Sequence, residues 1–165
     1  MKTIIKIYSV NGNATSEIRT KLDSRATFTI TLASLTNGSA RQSTMVSNST
    51  NRPAALIFMD IESGTSAPTA GTTYEIYLLR GDGTRRTDNA GASDAAITLA
   101  NAPLLGTIVV TASANTHFYG EFDTAPLGAL GTEFGIAVKN NSGQTLHATE
   151  GNHIKAYTLY VPEAQ

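Results

Sequence analysis

Histidine, carboxylate, arginine and tyrosine are the side chains through which this chain could do chemistry, and their spacing favours little of it. His117, His147 and His153 are the only histidines. No two stand at the i, i+2 spacing of a strand or the i, i+4 spacing of a helix, so a metal site would have to be assembled by the fold. Surface or strand-end positions are the expectation for all three. Asp82, Asp88 and Asp94 recur at equal intervals in one polar region, and oxygen-rich loops can hold calcium. The EF-hand pattern is missing, however, and aspartates in glycine-rich segments serve as turn formers and caps. Glu121 and Asp123 flank Phe122 on one strand face, a spacing that could serve paired-carboxylate catalysis. A solvated face opposite Phe118, Gly120 and Phe122 is the plainer reading.

Arg80, Arg85 and Arg86 form a cluster that could clamp an acidic surface, since the planar guanidinium makes bidentate contacts and is favoured at interfaces. Tyr74, Tyr77, Tyr119, Tyr157 and Tyr160 could form a sugar platform, but the chain has no tryptophan, and core and subunit-interface positions are simpler. There is no Gly-x-Ser-x-Gly elbow, no phosphate loop and no dinucleotide fingerprint after a strand. We assign no catalytic residue, metal ligand or cofactor, and read the chain as a scaffold that binds other protein, not as an enzyme.

The whole composition agrees with that reading. The 165 residues suit one domain, and 41% hydrophobic residues suffice for a core. Only 15% are charged, well below the usual quarter, and about a fifth are Ser or Thr. A net charge of −1 supplies no field for collecting phosphates, so direct nucleic-acid binding is not expected. With no cysteine the fold holds by packing, without disulfides or thiolate metal sites. Lys6 interrupts the N-terminal apolar run too early for a signal peptide, and no run approaches the roughly 20 residues of a membrane span. The sequons at Asn13, Asn37, Asn48 and Asn140 carry little meaning in a chain so rich in Asn, Ser and Thr.

The elements that must position these residues are strands. Residues 26–32 alternate strictly, with Phe28, Ile30 and Leu32 on one side and Thr27, Thr29 and Thr31 on the other, the period-two signature of a half-buried strand. Residues 54–61 are apolar on both faces as far as Asp60, which predicts a strand that is central or lies under a partner chain. Residues 73–79 point Tyr74, Ile76 and Leu78 one way before a turn at Gly81, Asp82 and Gly83. Further strands are predicted over 105–111, 116–122, 134–139 and 153–161. The best helix candidate is 15–22, where Ser16 could cap and Ile18 and Leu22 lie four apart. Segment 36–52 reads as an exposed loop or an edge strand, and 63–71 and 84–96 as loops. The expected fold is all-β, an antiparallel sandwich or jelly roll of about eight strands over residues 26–165, with residues 1–25 as an N-terminal arm or strand.

The segments SARQSTMV, TYEIYLLRGDGTRRTDNAGASDAAI, NAPLLGTIVV, FYGEFDTAPLGALGTEFGIAVKNNSGQTL and NHIKAY resemble a group of small virion structural proteins of tailed bacteriophages. The likeness runs from about Ser39 to Tyr157, and Phe134 stands where tryptophan is commoner. The resemblance implies a virion component present in many copies and made in a bacterial cytoplasm. It implies as partners the major capsid protein or other virion proteins, and further copies of itself in a homo-oligomer such as a trimer, with neither nucleic acid nor membrane. Head decoration, or cementing of neighbouring capsid subunits, is the expected role. A tail or neck protein and a sugar-binding module on the virion surface are the alternatives. The contact residues expected are Ile4, Ile5 and Ile7 of the arm, able to add a strand to a neighbour's open edge, together with Arg80, Arg85 and Arg86.

Overall fold

The computed structural model describes the backbone of residues 3–6 and 17–164, and side chains over 22–161. It is all-β, with twelve strands among the described residues: β1 Thr3–Lys6, β2 Glu17–Leu22, β3 Ala26–Thr27, β4 Ala40–Gln42, β5 Val46–Ser47, β6 Ala54–Glu62, β7 Thr73–Gly81, β8 Ala95–Ala96, β9 Leu104–Val109, β10 His117–Asp123, β11 Glu133–Asn141 and β12 Ile154–Ala164. Two six-stranded antiparallel sheets face each other: sheet A runs β1-β2-β12-β6-β10 with β3 also on β12, and sheet B runs β8-β4-β11-β7-β9 with β5 also on β11. The count exceeds the expected eight because polar segments contribute short edge pieces. β3 continues the line of β2 along β12, and β4 and β5 lie in line along β11.

The core follows from alternation. Ala55, Ile57, Met59 and Ile61 of β6, Tyr74, Ile76 and Leu78 of β7, and Phe134, Ile136 and Val138 of β11 are buried between the sheets, each apolar side chain worth about 1.5–3 kcal/mol when fully withdrawn from water. At the centre, Phe28 meets Phe134 edge-on at 6.0 Å between ring centroids and Tyr157 at 4.6 Å. At the corner where β9 approaches β10, Gly106 and Gly120 leave room for the Phe122 ring. A Cβ at Gly106 would stand 2.5 Å from that ring. β6 is central, between β12 and β10; its inner face is fully buried, and Leu56 and Phe58 on its outer face are half-buried.

Two expectations are corrected and a third is decided between its alternatives. Residues 26–32 alternate in burial as expected, but only Ala26 and Thr27 join a ladder. The rest crosses from sheet A to sheet B, donating Phe28 N–H to Lys155 O and accepting Thr44 N–H at Thr29 O. Period-two burial needs an extended backbone, and the sequence does not say whether a strand or a carboxylate takes its N–H groups. The helix candidate 15–22 is a strand over Glu17–Leu22, paired with β1 and β12; the long β12 offers a full ladder, whereas so short a helix needs docking. Segment 36–52, expected as a loop or an edge strand, supplies β4, which lies between β8 and β11, and β5, which pairs with β11, the two interrupted where Ser43 Oγ accepts Ile136 N–H at 3.0 Å.

Candidate functional site

The fold brings the three histidines together around one residue, Glu62, two of them at its carboxylate and His153 at its backbone N–H. Glu62, at the end of β6, is buried. Its Oε2 accepts from Asn152 Nδ2 and lies 3.5 Å from His147 Nδ1, and its Oε1 lies 4.0 Å from His117 Nε2. His117 Nδ1 is 3.0 Å from Asp60 Oδ1. His153 Nδ1 accepts Glu62 N–H at 3.3 Å and its Nε2–H donates to His147 O at 3.1 Å. His153 is therefore the neutral Nε2–H tautomer, and burial holds its pKa below 6.5 against the opposing effect of the His147 carbonyl. His147 Nδ1 accepts Thr149 N–H at 3.1 Å. These lone pairs join β6 to the loop before β12. The groove beside His147, about 270 Å³, falls short of the ~300–1,000 Å³ of ordinary small-molecule sites. Among the described residues no group of three or more His, Asp or Glu could hold a metal ion.

Four other carboxylates, Asp82, Asp88, Asp94 and Glu150, accept backbone N–H groups. Asp82 accepts Thr84 and Arg85 N–H at 2.9 and 2.6 Å. Asp88 accepts the N–H groups of Ala100, Asn101 and Ala102. Asp94 takes Thr31 N–H at 3.0 Å and pairs with Arg41. The three aspartates of the candidate calcium loop thus work at three separate places. Glu150, in the short 3₁₀ turn Glu150–Asn152, accepts Leu32 and Ala33 N–H at 2.8 and 2.7 Å and pairs with the buried Lys155. Asp94 and Glu150 therefore hold the crossover that no strand holds.

Two of the three clustered arginines are engaged inside the molecule. Arg80 Nη2 donates to the carbonyls of Leu127 and Gly128, and Arg86 makes a forked pair with Glu133 at 2.7 and 3.2 Å. Arg85 is exposed in the turn beside Asp82. Ile4 and Ile5 lie on β1, and Ile7 lies outside the described residues. The tyrosines form no platform: Tyr74 is buried, Tyr157 stacks in the core, Tyr160 donates to Asp123 at 2.7 Å and Tyr77 to Glu75 at 2.6 Å. Tyr119 stands exposed on sheet A. Of the sequon asparagines, Asn48 and Asn140 are buried; Asn48 bridges Arg52 and Gly131, and Asn140 bridges Leu35 and Gln144.

Loop 84–103 is no free loop. It lies over the outer face of sheet B, packing Ile97, Leu99 and Ala102 onto Leu79 and Ala137 with Met45 and Tyr77. Asp88 holds it, as does Gln42, which donates to Gly91 O and Ser93 O and accepts Gly91 N–H. Sequence reasoning missed Glu62, Gln42 and Glu150, because each meets partners far along the chain and no local spacing marks it. Comparison with protein-family models gives no match, and neither does comparison with curated protein sequences. Among the described residues no helix is long and apolar enough to cross a membrane.

Proposed function

We propose that the chain is a structural protein of a tailed-bacteriophage virion, a head decoration or cement protein that oligomerises and staples neighbouring capsid subunits. One observation carries the reading: the described side chains capable of acid–base chemistry or ion pairing mostly engage one another or the fold's own backbone, while sheet A ends on β1, onto which no further strand pairs among the described residues. An open edge takes a strand from a neighbour through main-chain hydrogen bonds. The weakly charged composition suits a subunit packed among many others, where charge is depleted, and the resemblance over residues 39–157 points the same way. Arg85 is the arginine of the cluster placed to meet an acidic neighbour.

Deleting residues 1–16 removes β1 and keeps β2 on β12. The truncated chain is expected to stay folded by circular dichroism and to lose occupancy on heads assembled without the wild-type protein. Full occupancy by the truncated chain sinks the edge mechanism. Immunogold label confined to tails transfers the protein to the tail or neck, and absence from purified virions by mass spectrometry sinks the virion reading as a whole.

A further inference from the structure

The two outer faces of the sandwich are treated differently. Sheet B is covered by the chain's own loop 84–103. On sheet A the strands β12, β6 and β10 set three rows in register on the outer side: Ile154, Asp60, Tyr119; Ala156, Phe58, Glu121; Thr158, Leu56, Asp123. Each row carries one carboxylate; Ala156 and Thr158 are buried, so the apolar surface is that of Tyr119 and Ile154 with the half-buried Phe58 and Leu56. Tyr119 is 61% and Ile154 48% exposed, on either side of Asp60. Arg25 lies 4.9 Å above the Phe58 ring and His117 beside Asp60; Glu121 Oε2 accepts from the Tyr119 hydroxyl and Asp123 Oδ1 from Ala125 N–H and the Tyr160 hydroxyl, and both carboxylates stay exposed along the β10 side with no cation paired to them among the described residues.

We infer that this face of sheet A docks a virion partner protein that presents lysine or arginine beside apolar side chains. The inference rests on the virion reading above and names a second contact, separate from the β1 edge. Tyr119, Ile154 and Phe58 supply the apolar strip, and Glu121 and Asp123 accept the partner's cations, which sets orientation and the rate of encounter. A second copy is the poorer occupant, since the face carries three carboxylates, Asp60, Glu121 and Asp123, to the one guanidinium of Arg25, and two such faces pressed together oppose like charge in excess.

The test uses the full-length chain and empty heads of the phage that carries the gene, assembled without it, with bound protein quantified after sedimentation. Tyr119→Ala and Glu121→Lys should each weaken binding about tenfold or more, while Val109→Thr, at a 61% exposed site on sheet B, should leave it unchanged. Added salt should weaken the wild type more steeply than Glu121→Lys. Matching circular dichroism and melting curves guard against misfolding, and Glu121→Gln, which removes charge without reversing it, should fall between. If wild-type protein fails to bind heads, the head-decoration reading falls, and the docking face with it. If it binds and both face variants bind equally well, the docking face falls alone. Self-association lost in the same variants by sedimentation velocity, without heads, overturns the cationic partner in favour of a second copy.

Discussion

Replacing Glu150 by alanine tests whether two carboxylates do the work of a missing strand. The substitution strands the Leu32 and Ala33 N–H groups, now bonded at 2.8 and 2.7 Å, and leaves Lys155 without its ionic partner. Orphaned amides cost about 1–3 kcal/mol each, and breaking a buried ion pair from one side costs about 3–5 kcal/mol. The Glu150 side chain is 38% exposed and that of Lys155 only 8%, so water reaches the Glu150 end and replaces part of what is lost. We expect Glu150→Ala to lose about 3 kcal/mol, a large share of the ~5–15 kcal/mol that holds an ordinary domain together. Glu150→Gln keeps an acceptor oxygen and should lose about 1–2 kcal/mol. Adding Lys155→Met to Glu150→Ala should recover about 1 kcal/mol or more by removing the stranded charge. Urea unfolding followed by circular dichroism at pH 7 gives these values, and hydrogen exchange at Leu32 and Ala33 localises them. If Glu150→Ala stays within about 1 kcal/mol of wild type with both amides still protected, the carboxylate is not what holds the crossover.

Burial pushes the pKa of Glu150 up, but the Lys155 ammonium and the Ala33 and Leu32 amides outweigh it, so the folded value lies below the ordinary 4.5. The unfolded chain then binds more protons in acid, and this stabilisation, complete above 4.5, should fade as pH drops through the folded value; a Glu150→Gln protein should show a flatter acid limb in urea midpoints. His153, depressed below 6.5 mainly by burial, acts at higher pH with the same sign: the unfolded ring protonates first, so stability declines as pH falls from 6.5 toward the folded value. A ring titration by NMR at or above 6.5 would contradict this. Asp88→Ala should raise exchange at Ala100, Asn101 and Ala102 at least about tenfold while Asp88→Asn raises it less; equal protection in all three proteins would show that packing alone holds the loop.

The main strands were legible because burial on one face imposes period two: Tyr74, Ile76 and Leu78 read correctly, as did the two-faced β6. The crossover shows where that signal stops. Phe28, Ile30 and Leu32 alternate because they point into the core, and the same alternation arises whether the opposite edge meets a strand or Asp94 and Glu150. The helix reading of 15–22 rested on Ile18 and Leu22 being four apart; β12, far along the chain, overrode it. Gln42 holds Gly91 from 49 positions away, and the histidines meet at Glu62 from separate segments, so no local pattern could disclose either. Segment 84–96 read as a loop because it is polar, and the residues that pack this stretch down, Ile97, Leu99 and Ala102, lie just beyond it and find their partners only once the fold brings Leu79 and Ala137 together.

The placement of β12 carries a consequence for how the chain acquires its structure. It is synthesised after every other described strand, yet it sits inside sheet A, between β6 on one side and β2 and β3 on the other. While the ribosome is still making it, β3 has no ladder to join, β2 has only β1, and β6 is open along one edge. Sheet A is therefore completed only after synthesis has passed the whole body of the protein, with the large loop closures that make such topologies slow. Until then, the N-terminal strands and the open flank of β6 are exposed to other nascent copies, and the interval before closure is when wrong pairing between copies competes with the native one.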